Sequence, residues 1–396
     1  MLTKKGVSDF EVAGKRVLVR VDFNVPITDG VVTDDARIRA ALPTLNYLLE
    51  QNAKIVLLSH LGRPADAPDP AFSLAPVAPV LASLLGRPVQ FVPDTVGDQA
   101  RRAVAALGPG EVLLLENVRF SPEEKANDSD FARKLAGFGE VFINDAFGTA
   151  HRAHASTAGV AQYLPAGAGL LMASELDTLG ALFKDPAHPF VAVLGGSKVS
   201  DKLGVIRKLI ETVDTLLIGG GMAFTFEAAR GNATGASLLE PDWIEPCREL
   251  MQRADDKGCL LLLPTDYVVA DAFAADAHTQ VVAADAIPDA WLGLDIGPAT
   301  TEGYRVVLTG AKTVFWNGPM GVFEMPAFAA GTRGVAEAIC ESEATSVIGG
   351  GDSAAALKAF GLTGGVSFIS TGGGASMKLL EGAELPGVVA LDNKEG

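Results

Sequence analysis

Arginine, histidine and asparagine side chains directly follow several apolar runs in the first half of the chain. They occur in Asp22-Phe-Asn24, Ser59-His-Leu-Gly-Arg63 and Glu116-Asn-Val-Arg119, with Arg37 and Arg152 in two further segments. Guanidinium groups bind phosphates and carboxylates through paired hydrogen bonds. Because the chain carries a net charge of -16, such cations should face a bound anion and not bulk solvent. The pattern predicts a site for a compact anionic ligand.

In the second half, the corresponding runs end in glycines. These are Gly195, Gly196, Gly219, Gly220, Gly221, Gly349, Gly350, Gly351, Gly372, Gly373 and Gly374. Glycine lets backbone N–H groups approach a ligand closely, and a following helix N-terminus favours an anion. We expect Gly195 to open a helix that ends near Ile210. Lys198 and Lys202 would then share one face and hold an anion between them. The order of residues differs from a Walker A loop, so a P-loop NTPase is disfavoured.

Two carboxylates stand next to these glycines. Asp352 is either a helix N-cap or a ligand of Mg²⁺, which prefers one or two carboxylates together with phosphate oxygens. Glu324 follows a strand-like run and two glycines, where a carboxylate can accept hydrogen bonds from ribose hydroxyls. His151 and His154 have no third candidate ligand nearby, so they do not predict a metal site. These loops favour binding of a nucleotide.

Apolar runs alternate with helical patterns along the whole chain, which is typical of parallel sheets covered by helices. We predict strands at 17–21, 54–58, 112–115, 141–144, 190–194, 215–218, 260–263, 313–316, 346–348 and 367–369. Ligands of such sheets bind beyond the carboxyl ends of the strands. The chemistry-bearing residues named above lie at those ends. We therefore predict an α/β protein with two doubly wound, Rossmann-like domains separated by a cleft.

The chain has 396 residues, which is more than a single hydrophobic core usually supports, so we expect two domains. The first covers 1–173 and binds the compact anion. An interdomain helix and hinge follow at 174–189, with Ser174 as the helix cap. The second domain covers 190–380 and binds the nucleotide. Residues 381–396 form a tail that packs back on the first domain.

Composition narrows the class of protein. Hydrophobic residues make up 48% and charged residues 20%, which is typical of globular domains. The acidic balance, with a pI near 4.8, argues against a nucleic-acid partner. Three cysteines without metal-ligand spacing favour a reducing compartment. We see no signal region and no apolar run of roughly 20 residues, so we expect a cytoplasmic protein without a membrane partner.

Taken together and in order, these motifs resemble those of the phosphoglycerate kinases over nearly the whole chain. The segments that carry the resemblance are Arg20-Val-Asp-Phe-Asn-Val-Pro26, Ser59-His-Leu-Gly-Arg-Pro64, Leu115-Glu-Asn-Val-Arg-Phe120, Asn144-Asp-Ala-Phe-Gly-Thr-Ala-His-Arg-Ala-His-Ala-Ser156, Gly195-Gly-Ser-Lys-Val-Ser-Asp-Lys202, Leu294-Asp-Ile-Gly-Pro298, Trp316-Asn-Gly-Pro-Met-Gly-Val-Phe-Glu324 and Gly349-Gly-Gly-Asp352. The resemblance implies a phosphotransferase of glycolysis, gluconeogenesis or carbon fixation. It would convert 1,3-bisphosphoglycerate and MgADP reversibly into 3-phosphoglycerate and MgATP.

The resemblance also implies roles for individual residues. Phosphoglycerate would be bound by Asp22, Phe23, Asn24, Arg37, His60, Leu61, Gly62, Arg63, Arg119 and Arg152. ADP or ATP would be bound by Gly195, Gly196, Lys202, Gly219, Gly220, Gly293, Asn317, Glu324, Gly350, Gly351, Asp352 and Ser353. Asp352 would hold Mg²⁺ through the phosphates. We expect Arg37, Lys198, Lys202 and Gly373 to act on the transferring group. A monomer is expected, as for most of the family.

Two positions depart from the family pattern. Ser353 stands where many members have threonine, and both residues offer a hydroxyl. Ala299 stands where many members have lysine, which leaves a detail of the nucleotide site open.

Two other functions are compatible with Rossmann-like domains. An NAD(P)-dependent dehydrogenase would need a Gly-x-Gly-x-x-Gly turn after the first strand of a domain, and the first turn is Asp-Phe-Asn-Val-Pro instead. A nucleotide-responsive binding protein without catalysis is the second alternative. The joint presence of Arg37, Lys198, Lys202 and Asp352 speaks against it.

Overall fold

The apolar runs form two parallel sheets of six strands each. The computed structural model describes residues 3–65 and 67–394. Contacts divide the chain into two units: the first contains the residues up to Asp177 together with those from Glu384 onward, and the second contains Thr178–Ala383. The two-sheet α/β architecture predicted from the sequence is confirmed.

The strands are β1 Arg16–Arg20, β2 Ile27–Thr28, β3 Val31–Val32, β4 Lys54–Leu58, β5 Val89–Val92, β6 Val112–Leu115, β7 Val141–Asn144, β8 Ala166–Ala168, β9 Phe190–Leu194, β10 Thr215–Ile218, β11 Leu260–Leu262, β12 Asp266–Ala270, β13 Thr279–Ala283, β14 Leu292–Ile296, β15 Thr313–Asn317, β16 Thr345–Gly349 and β17 Phe368–Ile369. Every strand predicted from an apolar run is present, with ends that differ by no more than one residue.

The α-helices are α1 Ala36–Glu50, α2 Val77–Leu85, α3 Asp98–Ala106, α4 Pro122–Lys125, α5 Ser129–Ala136, α6 Leu170–Lys184, α7 Leu203–Ile210, α8 Ala223–Arg230, α9 Ile244–Lys257, α10 Pro298–Thr309, α11 Ala330–Glu341, α12 Gly351–Phe360, α13 Gly374–Leu380 and α14 Pro386–Val389.

In the first unit, the sheet has the strand order β5-β6-β4-β1-β7-β8. Its central strands are almost wholly buried; Leu18, Val56, Leu113 and Phe142 have no exposed surface. Strands covered on both faces need continuous apolar runs, which is why these four were readable from sequence. The β2–β3 hairpin is antiparallel.

In the second unit, the parallel sheet has the order β11-β10-β9-β15-β16-β17. A separate antiparallel sheet in the order β13-β12-β14 accompanies it. This small sheet was not predicted, and neither were β5, β8 and the β2–β3 hairpin. The β13 strand is largely exposed, so its sequence carries only a weak apolar signal.

The helix predicted to begin at Ser174 begins earlier, so that expectation was wrong. α6 starts at Leu170 and Ser174 lies inside it. Distant side chains satisfy its first amides: Thr44 Oγ1 accepts from Leu170 N at 2.8 Å, and Asp145 Oδ1 accepts from Leu171 N at 3.0 Å. Since a helix end needs such acceptors, the start is set by residues far away in sequence.

The described C-terminal residues belong to the first unit. The Asp392 amide donates to Ala166 O at 2.9 Å, and Lys394 N donates to Thr3 O at 2.8 Å. The division between the units falls between Asp177 and Thr178, inside α6.

Candidate active site

Four adjacent strands of the first unit, β6, β4, β1 and β7, end at the same edge of their sheet. Because they are parallel, the polar segments that follow them come together there. These segments contain Asn117 and Arg119 after β6, His60 and Arg63 after β4, Asp22 and Asn24 after β1, and Arg152 and His154 after β7. The sheet thus assembles residues that are far apart in the sequence.

Hydrogen bonds tie the β1 and β4 loops to each other. Asn24 Oδ1 accepts from Gly62 N at 2.8 Å, and Ser59 Oγ accepts from Phe23 N at 2.9 Å. Gly62 has φ of +61°, and a Cβ there would lie 2.3 Å from the Phe72 ring, so only glycine fits. Phe23 and Leu61 are buried, which leaves their backbone as the part available to a ligand.

Asp22 lies between a basic and an imidazole side chain. Its Oδ2 accepts from Arg37 Nη1 at 2.7 Å, and its Oδ1 is 3.7 Å from His60 Nδ1. Burial lowers the pKa of His60 well below its usual value, and the nearby arginines, Arg20 first, lower it further. His60 is therefore neutral at pH 7, while Arg37 is oriented by the Asp22 carboxylate.

Arg119 is 5% exposed and only partly satisfied. Its Nη1 donates to Gly62 O at 2.6 Å, whereas its buried Nε makes no hydrogen bond within residues 3–65 and 67–394. Burial, followed by Arg152 and Arg20, lowers its pKa to about 10. A buried guanidinium with a spare donor is costly unless an anion pairs with it.

A cavity of about 270 Å³ is lined by Arg63, Arg119, Arg152, Lys125, His154 and Pro64. Three predicted arginines thus face one cavity. The sequence did not identify Lys125 or His154 as residues of this site. They lie close to Arg119 only because α4 and the loop after β7 fold over that side chain. Burial, and then repulsion from Arg119, lowers the pKa of His154 to about 4.

In the second unit, the glycine-rich segment after β9 remains a loop until Lys202. α7 begins at Leu203, with Lys202 at its N-cap. The expectation that Lys198 and Lys202 share a helical face was therefore wrong. Glu240 holds the loop open: its Oε2 accepts from Val199 N at 2.7 Å, and its Oε1 accepts from Ser200 Oγ at 2.6 Å.

Lys202 is anchored by Asn317. Its Nζ donates to Asn317 O at 2.8 Å and also to the side-chain oxygen of that residue. Burial lowers the Lys202 pKa to about 7, although Asp352 and Asp201 oppose this shift. Lys202 is consequently only partly protonated at pH 7, and a bound anion would restore its charge.

A cavity of about 180 Å³ surrounds these groups. It is lined by Gly196, Ser197, Lys198, Asp201, Lys202, Asn317, Gly318, Gly350, Gly351, Asp352 and Ser353. Asp352 is the second residue of α12 and Gly350 is its N-cap, so Asp352 is not the N-cap. Ser353 Oγ accepts from Gly318 N at 2.7 Å, so serine supplies the hydroxyl function here.

The donor set fits a magnesium ion that arrives with phosphates. Within the described part of the chain, no three His, Cys, Asp or Glu side chains are grouped to hold a metal. Two carboxylates, Asp201 and Asp352, line the cavity beside lysines. Mg²⁺ typically takes one or two carboxylates and completes its shell with phosphate oxygens and water.

A larger cavity of about 490 Å³ shares Gly196, Ser197 and Asp352 with the smaller one. Gly220, Gly293 and Glu324 line it, as do the apolar side chains of Phe224, Tyr267, Phe273, Leu292 and Met320. The apolar wall was missed because Tyr267 and Leu292 belong to the small antiparallel sheet. The apolar run at 267–270 was the available signal for β12. An apolar cavity beside a lysine- and carboxylate-lined one suits a nucleotide.

The family model described as phosphoglycerate kinase matches residues 7–383. The chain belongs to the phosphoglycerate kinase family. Its membership rests on nearly the whole chain and not on one motif, since the matched segment includes all the loops described above.

Curated members of the phosphoglycerate kinase family are closely similar. The chain is 58% identical over 393 residues to phosphoglycerate kinase of Moorella thermoacetica, covering 99% of this chain and 100% of the relative. It is 56% identical over 394 residues to the enzyme of Herpetosiphon aurantiacus, with 99% and 100% covered.

Solved phosphoglycerate kinase structures share the fold. The enzyme from Coxiella burnetii matches with a TM-score of 0.88 at 42% identity, covering 98% of both chains. The enzyme from Pyrococcus horikoshii matches with a TM-score of 0.86 at 34% identity, again covering 98% of each.

Gly195, Gly219 and Gly373 were predicted from the sequence to contact a ligand. They do not line either cavity of the second unit. A Cβ on Gly195 would lie 2.1 Å from Pro319 O, and one on Gly219 would lie 2.4 Å from Met320 Sδ. Both therefore permit close packing of neighbouring segments. Gly373 is the N-cap of α13 with φ of 47°.

Ala299 sits in the first turn of α10, where its amide donates to Asp266 Oδ2 at 3.0 Å. Across the residues that the structure describes, no helix is both long and apolar enough to cross a bilayer.

Proposed function

We propose that this chain transfers a phosphoryl group reversibly from 1,3-bisphosphoglycerate to MgADP, giving 3-phosphoglycerate and MgATP. The observation that carries the proposal is the family match over residues 7–383. The two contrasting sets of loops support it. One unit presents an arginine-lined cavity, and the other presents adjoining lysine-lined and apolar cavities.

In this proposal, the first unit binds phosphoglycerate. Arg63, Arg119 and Arg152 bind its phosphate, because their guanidinium groups line one cavity and match phosphate oxygens in pairs. The Asp22 carboxylate accepts a hydrogen bond from the hydroxyl group of phosphoglycerate. The Asn24 amide donates one to its carboxyl group. Together with the backbone of Phe23, Leu61 and Gly62, and with neutral His60, they complete the site.

The second unit binds the nucleotide. The apolar wall of the larger cavity takes the base, and Glu324 accepts from the ribose hydroxyls. Lys202 and the amides of Gly350 and Gly351 bind phosphate oxygens at the start of α12. When bound, Mg²⁺ is held by Asp352 and the phosphates and neutralises part of their charge.

Catalysis of this transfer depends mainly on positioning the substrates and on neutralising negative charge. An acyl phosphate is already activated, so no strong general base is required. Arg37 and Lys198 flank the transferring group and stabilise its spreading negative charge, and the backbone around Gly373 adds donors. Because donor and acceptor bind to different units, transfer requires both ligands to be brought in line with water excluded.

We further propose that the chain acts as a monomer in the cytoplasm, with no nucleic-acid or membrane partner. Its three cysteines are free thiols, which suits a reducing compartment.

The direct assay is ATP-dependent phosphorylation of 3-phosphoglycerate, coupled to NADH oxidation through glyceraldehyde-3-phosphate dehydrogenase. We expect turnover that requires both ATP and 3-phosphoglycerate. Purified, folded protein that does not oxidise NADH above the no-substrate blank would refute the proposed function.

Replacing Arg63 by alanine should weaken phosphoglycerate binding. Because a hydrogen bond to a charged group is worth about 1.5–3 kcal/mol, we expect KM for 3-phosphoglycerate to rise about 10- to 100-fold, with kcat within about threefold. Steady-state kinetics of R63A measures both. Arg102, also exposed in the first unit but outside the cavity, is the matched control as R102A. An unchanged KM in R63A would remove Arg63 from the site.

Nucleotide binding should take up protons through Lys202. With a pKa of about 7 in the free protein, Lys202 is mostly neutral at pH 7.5, and phosphate oxygens favour its charged form. We expect ADP binding to take up a measurable fraction of a proton at pH 7.5 and ADP affinity to fall as pH rises above 7. Calorimetry in buffers of different ionisation enthalpy measures the uptake. The proton uptake should disappear in the variant Lys202→Met. Equal uptake by the wild-type protein and this variant would exclude Lys202 as its source.

A further inference from the structure

A carboxylate with no exposed surface lies beneath the arginine-lined cavity, and the mechanism above does not use it. It is Glu124, in the short helix α4. Both of its carboxylate oxygens accept hydrogen bonds from Ser156. Oε2 accepts from the Ser156 backbone amide at 2.8 Å, and Oε1 accepts from the Ser156 hydroxyl at 2.6 Å. Burying a carboxylate is expensive unless nearby cations compensate it.

The compensating cation next to it is Arg20, which is also fully buried. Arg20 Nε donates to the Ser156 hydroxyl at 2.8 Å, so Ser156 bridges the acid and the base. Arg20 Nη2 in turn lies 3.3 Å from His60 Nδ1. This chain of contacts runs from Glu124 to the phosphoglycerate side of the site.

Glu124 also reaches the cavity from its other side. Its Oε1 is 3.7 Å from His154 Nδ1, and His154 lines the cavity with Arg63, Arg119 and Arg152. Burial, followed by repulsion from Arg119, lowers the pKa of His154 to about 4. The cavity lining holds three arginines and Lys125, so the site is cationic and the single charge of Glu124 offsets only part of it.

We propose that Glu124 is a buried counter-charge that limits how tightly this site holds its anionic ligand. This inference rests on the proposed function for the identity of the ligand. Glu124 does not line the cavity, so it acts through charge and not through contact. Its negative charge stabilises Arg20 and Arg119 in the empty site, and it repels the incoming phosphate and carboxylate. The effect keeps 3-phosphoglycerate releasable after each turnover.

The sign of the effect separates this role from a merely structural one. Loss of a structural support should weaken ligand binding, whereas loss of a repelling charge should strengthen it. We expect Glu124→Gln to bind 3-phosphoglycerate about three- to tenfold more tightly at low ionic strength, with the gain shrinking as salt is raised. KM should fall while kcat falls or stays level, and product inhibition by 3-phosphoglycerate should strengthen.

The test is calorimetric titration of 3-phosphoglycerate into the wild-type protein, E124Q and E123Q. Glu123 is the preceding residue of α4 and is exposed, so E123Q removes the same charge at the surface and should stay within about 1.5-fold of wild type. Glu124→Met, which carries no unpaired amide, is the second neutral variant. The thermal-unfolding shift caused by 3-phosphoglycerate gives the same comparison for a destabilised variant.

A neutral variant that is at least twofold tighter than both wild type and E123Q supports the inference. Neutral variants that bind less than twofold tighter, equally or more weakly would overturn it. Repeating the titration with sulfate separates this result from the proposed function. The counter-charge predicts tighter sulfate binding by E124Q even if the wild-type protein shows no turnover of 3-phosphoglycerate.

Discussion

Replacing Lys198 by alanine is expected to lower kcat about 10²- to 10³-fold. Lys198 faces the smaller cavity of the second unit, but it is exposed and lies in a loop before α7. Lys202, by contrast, is anchored by Asn317. We propose that this exposed lysine contacts the transferring group only in the transition state, so that it stabilises the transition state more than the bound nucleotide. MgADP affinity should therefore stay within about threefold.

The measurement is kcat in both directions together with the calorimetric Kd for MgADP. Lys312→Ala is the matched control, because Lys312 is also exposed in the second unit and lies outside both cavities. Near-normal turnover in K198A would remove Lys198 from the transfer step. A loss of nucleotide affinity with kcat unchanged would instead make it a ground-state ligand.

Replacing Asp352 by asparagine should impair use of the magnesium nucleotide. Asp352 is the one predicted metal ligand, and it lines both cavities of the second unit. We expect kcat/KM for MgATP to fall about 10²-fold or more, since the clamp on the phosphates loses a ligand. The free Mg²⁺ concentration for half-maximal rate should rise. The Asp352 charge also raises the pKa of Lys202, so D352N makes Lys202 harder to protonate.

A magnesium titration of the rate at fixed total ATP measures this requirement. Asp255→Asn removes an exposed carboxylate of the same unit, on α9 and away from both cavities, and should leave the titration unchanged. An unaltered magnesium requirement in D352N would show that another group holds the metal.

Much of the site was predictable because the sheet strands are buried on both faces. The runs at β4, β6, β7, β9 and β10 contain at most one polar residue each, at one end, and their ends could be read to the residue. Parallel pairing then requires the segments after them to meet at one edge. The arginine cluster follows from this geometry.

The errors arose where a distant residue decides local structure. The segment from Gly195 to Lys202 reads as a helix start, but Glu240 accepts hydrogen bonds from Val199 N and Ser200 Oγ and keeps it a loop. Likewise, Thr44 and Asp145 move the start of α6. No local pattern encodes these partners.

The apolar wall of the larger cavity was missed for a different reason. β13 is exposed at nearly every position, so the small antiparallel sheet lacks the continuous apolar signal of the parallel ones. Tyr267 and Leu292, which that sheet places in the cavity, could be identified only once the strands were paired.

We propose that the two sets of loops are half-sites of one phosphoryl transfer, and ³¹P NMR of the protein with MgADP and 1,3-bisphosphoglycerate tests this most directly. Net transfer runs in this direction because the acyl phosphate is a stronger phosphoryl donor than ATP. We expect the acyl-phosphate signal to disappear while the γ-phosphate signal of ATP appears in matching amount. Release of inorganic phosphate without formation of ATP, or an ADP spectrum that stays unchanged, would contradict the proposal.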